Sequence, residues 1–235
     1  MNEGKNELNP FQNNLLISLK KLHSICLNNK INYSVYGGTL IGLIRHEGFI
    51  PWDFDADVVF SREDFEKFIH LVTSRYSGEC QIIKEHWVWR FKLVNNSTQI
   101  DVFVFDKVPN NKFFRFLKMS SLKVLQLTYK NLIDIKNFNP FQKIIAIPII
   151  LLGKLIPLNF KHYLYKTISV GLMKNQNQKV SVYNDQFKFI NNYFNRKNVL
   201  RFEQGSFENI ELMYTKGYDE ILRKNYGDYM KPQKS

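Results

Sequence analysis

The sequence predicts an α+β fold, with a mixed sheet flanked by helices in the first half and a mainly helical second half packed on it. Three observations carry this. Short apolar runs bounded by turn residues fill residues 31–105, and longer runs with three- and four-residue apolar spacing follow from Phe113. Charge divides at the same place. Residues 1–110 hold 12 Lys and Arg against 13 Asp and Glu, a net of −1, while residues 111–235 hold 21 against 8, a net of +13, so the second half is the source of the chain's +12. The expected organisation is therefore a catalytic core over residues 1–110 and a basic, mainly helical region over 111–235.

Phe11, Leu15, Leu19, Leu22 and Cys26 recur at three- and four-residue steps, an amphipathic helix over residues 8–27 that Asn28-Asn29 ends. Residues 33–36 read as a short strand, Gly37-Gly38 as the turn after it, and residues 39–45 as a short helix opening on that turn. A strand over 54–60 follows. Ser61 caps a helix over 62–74 with Asp64 in its first turn. Further strands are expected at 80–85, 87–94 and 99–105, the last between Asn95-Asn96-Ser97 and Pro109-Asn110-Asn111. Helices over 113–132, 141–152 and 160–173 come next. Asn-rich turns around 175–178 and 191–198 and a helix over 218–224, ending near Gly227, complete the chain.

A hydrophobic content of 44% and an aromatic content of 15% exclude a disordered chain. Cys26 and Cys80 form no CxxC, which suits a reduced, cytoplasmic setting, and no signal-type apolar core follows the polar N-terminus. The basic half should attract a polyanion, or else serves solubility alone. Residues 144–158 are shorter than the roughly 20 residues of a spanning helix and are broken by Pro148, Gly153, Lys154 and Pro157. Two readings stay open for them: a buried core helix, or a patch lying in an anionic membrane surface, peripheral on the inner face of the cell membrane.

The chemistry is concentrated between Gly37 and Phe60. On a strand, Asp55 and Asp57 would share one face about 7 Å apart, against Val58, Val59 and Phe60, where unpaired carboxylates are costly. A hard divalent cation, Mg²⁺ or Mn²⁺, relieves that cost. Asp101 opens Ile-Asp-Val-Phe-Val-Phe and would add a third carboxylate if its strand lies beside the first. Asp53 and Asp106 are expected to tune or cap. Gly37, Gly38 and Thr39 stand between a strand and a helix start, where backbone N–H groups could hold a phosphate. Arg45 either reaches a phosphate or braces an acid. His46 is expected at the polar surface, and Trp52 as a packing plug after Pro51. Together these residues suggest a metal-dependent enzyme acting on a phosphate ester.

The stretch Tyr-Gly-Gly-Thr-Leu-Ile-Gly-Leu-Ile-Arg-His-Glu-Gly-Phe-Ile-Pro-Trp-Asp-Phe-Asp-Ala-Asp-Val resembles the signature of the LicD family, which includes fukutin-like proteins. The tail Tyr-Asp-Glu-Ile-Leu-Arg-Lys-Asn-Tyr-Gly-Asp-Tyr-Met, residues 218–230, is similar to that family's closing motif. The resemblance implies a polymerase-β-type nucleotidyltransferase fold, with Gly38 and Thr39 in the phosphate-holding turn and Asp55, Asp57 and Asp101 as the metal triad. It further implies Mg-dependent transfer of a phosphorylated alcohol, such as phosphocholine, from a CDP-alcohol donor to a glycan or glycolipid acceptor, with residues 111–235 completing the donor and acceptor site. Phe54 stands where many members have another Asp, and residues 107–198 match nothing in the family's pattern. Trp87, Trp89 and several tyrosines either cage a quaternary ammonium or pack the core. Tyr226-Gly227-Asp228 is either a latch or part of donor binding. The alternatives are a nucleotidyltransferase moving NMP to a small molecule or protein, and a non-enzymatic polyanion binder; nucleic acid is not the expected partner.

Overall fold

The structure, a computed structural model, describes residues 8–171 and 178–231. Helix α1 (Pro10–Asn28) starts where the Asn9 side chain accepts from Gln12 N–H and Pro10 occupies the first turn. It buries Leu15, Leu19, Leu22 and Cys26 of the predicted stripe, while Phe11, in its first turn, stays exposed. Strand β1 (Tyr33–Val35) leads into α2 (Gly37–His46), then β2 (Asp57–Ser61) and α3 (Arg62–Ser74), whose N-cap Ser61 exchanges hydrogen bonds with Asp64. Strands β3 (Cys80–Ile83), β4 (Trp89–Leu93) and β5 (Gln99–Lys107) complete a mixed sheet in the order β1-β2-β5-β4-β3. β2 and β5 run parallel; the other neighbours are antiparallel.

The second half begins with α4 (Lys112–Leu127), a 3-10 turn at Leu132–Ile135, α5 (Pro140–Leu155) and α6 (Leu158–Val170). Asn111 and Asn139 cap α4 and α5 with their side chains. Among the described residues four strands follow, which the expectation of a mainly helical second half did not include. β6 (Lys179–Val182) pairs with the far end of β5 and β7 (Phe194–Asn195) pairs with β6, so both extend the first sheet. After the short α7 (Arg196–Val199), β8 (Phe202–Phe207) and β9 (Ile210–Thr215) form a hairpin packed beside β1, and α8 (Tyr218–Tyr226) closes the chain. The short runs Lys-Val-Ser-Val and Phe-Glu-Gln-Gly-Ser-Phe are weak strand signals alone, and pairing with distant strands makes them extended. The Asn-rich turn expected around 175–178 lies almost wholly outside the described residues. The one expected around 191–198 is β7 and α7.

β4 leaves β5 after Val102, and β6 joins the same edge at Phe105. The Asn184 amide fills the gap, donating to Val102 O at 2.9 Å and accepting from Val104 N–H at 3.0 Å. A side chain thus continues the ladder where no strand lies. The main core packs α1, α3 and the sheet around Phe60, Phe68 and Phe91. A second cluster joins β5, β6 and α8 through Phe105, Val182 and Ile221.

Candidate active site

Two short-range arrangements bring α2 onto β2. The Asp57 carbonyl accepts from Tyr36 N–H at 2.9 Å, and Asp57 N–H donates to Thr39 Oγ1 at 2.9 Å. Gly37 opens α2 at a φ of +52°, and Gly38 follows. A Cβ on Gly37 would run into the Asp57 carboxylate and one on Gly38 into that of Asp53. The glycine pair therefore clears room for two acids over a helix N-terminus whose cap, Tyr36, offers no side-chain bond and whose first turn holds no acid.

β2 begins only at Asp57, so Asp55 lies in the irregular approach to the strand, exposed at the mouth of the site, and not on a shared strand face with Asp57. The bonds from Thr39 and Tyr36 to Asp57 explain the late start, since they tie its backbone to α2. Asp101 does lie beside Asp57: the two are register partners on parallel strands. Arg90 Nε donates to Asp101 Oδ1 at 2.9 Å.

The carboxylates feel one another. Burial, then the Asp55 charge, then a hydrogen bond to Asp55 push Asp53 up to about 7. Burial, then Asp55 and Asp101, hold Asp57 well above the ordinary range. Burial also raises Asp101, against the opposing pull of Arg90.

Asp185, which no sequence motif marks, joins this group. It is buried in the turn after β6, accepts from Tyr36 Oη at 2.8 Å and from Gln186 N–H at 2.6 Å, and is pushed up to about 6 by burial. Burial raises Tyr226 of the closing motif, and the charges of Asp57 and Asp185 add to it, so α8 brings that hydroxyl into the same field. Asp228 instead pairs with Lys231 at 3.0 Å.

Other expected residues are used differently. Arg45 donates to the Tyr229 carbonyl at 2.8 Å and to His46 at 2.9 Å, so it braces the tail. The Thr39 hydroxyl is buried and already accepts a bond from Asp57. Trp52 is 55% exposed and plugs nothing. Asp106 sits at the other end of β5 in a bidentate pair with Arg62. Trp87 lines a cleft of about 290 Å³ with Asp101, Phe103, Tyr129 and Asp185, whereas Trp89 packs on Phe65 and His162. A larger cavity of about 910 Å³ lies at the opposite end of the β2–β5 ladder, around the Arg62–Asp106 pair, away from this chemistry.

The donor set suits a hard divalent cation, whose charge would relieve the repulsion that raises Asp53 and Asp57. Among the described residues no three Asp, Glu, His or Cys side chains stand in ready ligating geometry. The Arg90 bond to Asp101 is one restraint that ligation would have to displace.

Acids gathered at the start of a parallel strand pair, against a glycine-led helix, mark the candidate site of this α+β protein. The model of the LicD/FKTN/FKRP nucleotidyltransferase domain matches residues 30–138, which include every expected site residue. The lipopolysaccharide cholinephosphotransferase LicD of Haemophilus influenzae is 29% identical over 91% of this chain and 87% of its own length. An uncharacterised protein of Rickettsia prowazekii is 38% identical over 41% of this chain and 40% of its own, and one of Rickettsia typhi 29% identical over 42% and 30%. The chain is thus similar to the LicD family across the candidate site, and to one LicD protein along almost its whole length.

Proposed function

We propose that this protein is a phosphotransferase that moves a phosphorylated alcohol, phosphocholine in the first instance, from a CDP-activated donor to a hydroxyl of a cell-surface glycan or its lipid-linked precursor. The observation that carries the reading is the register pairing of Asp57 with Asp101 beside the Gly37-Gly38 helix start. Likeness to a lipopolysaccharide cholinephosphotransferase along almost the whole chain supports the substrate class. In this reading residues 1–110 form a polymerase-β-type nucleotidyltransferase core, and residues 111–235 complete the donor and acceptor site through Asp185 and Tyr226.

Asp55, Asp57 and Asp101 would hold Mg²⁺ or Mn²⁺. When bound, the ion supplies charge neutralisation for the donor diphosphate. The N-terminal amides of α2 take a donor phosphate, with Gly37 and Gly38 allowing close approach. Asp101, beside the cleft of Trp87 and Tyr129, accepts the proton of the acceptor hydroxyl as its oxygen attacks the phosphorus bearing the alcohol. The bond from that phosphorus to the CMP oxygen breaks, and CMP leaves.

The test incubates the protein with CDP-choline labelled in the choline, Mg²⁺ and a lipopolysaccharide or glycolipid acceptor. The expected result is release of CMP with label on the acceptor, abolished by a chelator. Release of pyrophosphate with nucleotide on the acceptor would replace this reading by nucleotide transfer.

A further inference from the structure

Helix α5 is amphipathic in the wrong sense for a helix facing water. Its buried stripe is Ala146, Ile150 and Gly153, the last pressed against Thr128 at the end of α4. The opposite side, by helical periodicity, carries Phe141, Ile144, Ile145, Leu151, Leu152 and Leu155 and no charged residue. These side chains are large and exposed: Leu155 at 80%, Phe141 at 71%, Ile144 at 70% and Leu152 at 62%. The exposed apolar surface continues on both sides of the helix, with Ile133 before it and Phe160 after it. Contiguous apolar surface of this kind marks an interaction site.

The surrounding charge points to the partner. Residues 112–170 hold ten Lys and Arg and one acid, Asp134, which accepts from Asn131 N–H. Lys143 and Lys154 lie together along one side of α5, between its buried stripe and its apolar face, and Lys136 precedes the helix. A two-fold contact between copies would set these lysines against their own counterparts, with little acid to offset them. An anionic lipid surface meets both features at once: acyl chains for the leucines and isoleucines, headgroup phosphates for the lysines. α5 has 16 residues, and no single helix among the described residues is long and apolar enough to cross a membrane; α5 and α6 turn by 118° between them. A helix lying in the plane of the interface fits this geometry.

We infer that the exposed face of α5 is a docking surface for an anionic bilayer, in which the helix lies flat with its apolar side embedded and Lys143 and Lys154 at the headgroups. The inference does not rest on the transfer reaction, and its readout is not activity, so either can fail without the other.

The test is flotation of the full chain with vesicles of phosphatidylcholine alone and of phosphatidylcholine mixed with phosphatidylglycerol, at low and high salt. The chain is expected to float with the mixed vesicles at low salt. Lys143→Gln with Lys154→Gln should weaken binding by about fivefold per lysine and reduce its salt dependence. Ile144→Glu with Leu152→Glu should abolish flotation while circular dichroism and the melting temperature remain those of the parent, since both positions are exposed. Failure of the parent to float at low salt would overturn the inference, as would equal flotation of the double glutamate variant. Sedimentation without lipid supplies the remaining check: a dimer that the glutamates dissociate, from a parent that does not float, would assign the face to self-association.

Discussion

Asp57 and Asp101 are register partners on the parallel strands β2 and β5, so both side chains leave the sheet on the same face at adjacent positions. Burial weighs most on the Asp57 carboxylate, and repulsion from Asp55 and then from Asp101 adds to it. Asp57 is thereby held in a costly state that only a proton or a cation relieves.

That cost can be measured. The folded-state pKa of Asp57 lies above its ordinary value, so its ionisation removes stability as pH rises from about 4 through the folded value. Without added metal, Asp57→Asn should melt roughly 2–4 °C higher than the parent near neutral pH. This advantage should shrink as the pH is lowered. Turnover with Mg²⁺ should fall by about a hundredfold or more. A variant that melts below the parent at neutral pH would show that the carboxylate is paired, not crowded.

The glycine pair separates strain from crowding. Gly37 combines a φ of +52° with a clash against Asp57, so Gly37→Ala should cost about 1–2 kcal/mol in urea unfolding and also turnover. Gly38 has no such dihedral, and its Cβ would meet only the mobile end of Asp53. Gly38→Ala should keep most of the stability and lose activity. Equal unfolding midpoints for the two variants would contradict the assignment of strain to Gly37.

Arg62 and Asp106 form a bidentate ion pair, at 2.8 and 2.6 Å, with Asp106 only 2% exposed. Arg62→Ala leaves that carboxylate buried and alone, and should destabilise by about 3–5 kcal/mol. Chemical denaturation gives the figure directly. A loss below about 1 kcal/mol would mean that Lys118, which burial pushes down to about 8 nearby, takes over the pairing.

His23 sets an acid limit to stability. It is half-buried with Nδ1 2.8 Å from Tyr33 Oη, and burial pushes its pKa below 6.5. The folded state therefore binds protons less readily than the unfolded one. His23 stabilises above about pH 6.5 and loses that contribution as the pH falls through its folded value. Melting temperatures measured from about pH 7.5 down to about pH 5.5 should fall less steeply in His23→Gln than in the parent.

Much of the site was legible because its signals are local. Asp55, Asp57 and Gly37-Gly38 lie within one short stretch, and Asp101 opens a run whose alternation marks a strand. The residues that escaped notice depend on pairing across long sequence separations. Asp185 reaches the acids only because β6 joins β5. Tyr226 was marked by the closing motif, but its place beside the cluster depends on how α8 packs. For Arg45 the motif leaves a phosphate contact and a bracing role open, and only the returning tail supplies the Tyr229 carbonyl that its guanidinium meets. The strands of the second half are equally non-local, since Lys179–Val182 is too short to be extended without β5 beside it.

By itself the sequence determined the caps, the helix faces and the identity of the acids, because these depend on neighbours within a turn or two. The tertiary structure alone decided that Asp57 stands beside Asp101, that Asn184 completes the ladder, and that α5 keeps its leucines outside. Those outcomes depend on strand register and on which helix face a partner covers, and both are set by packing between segments far apart in the chain.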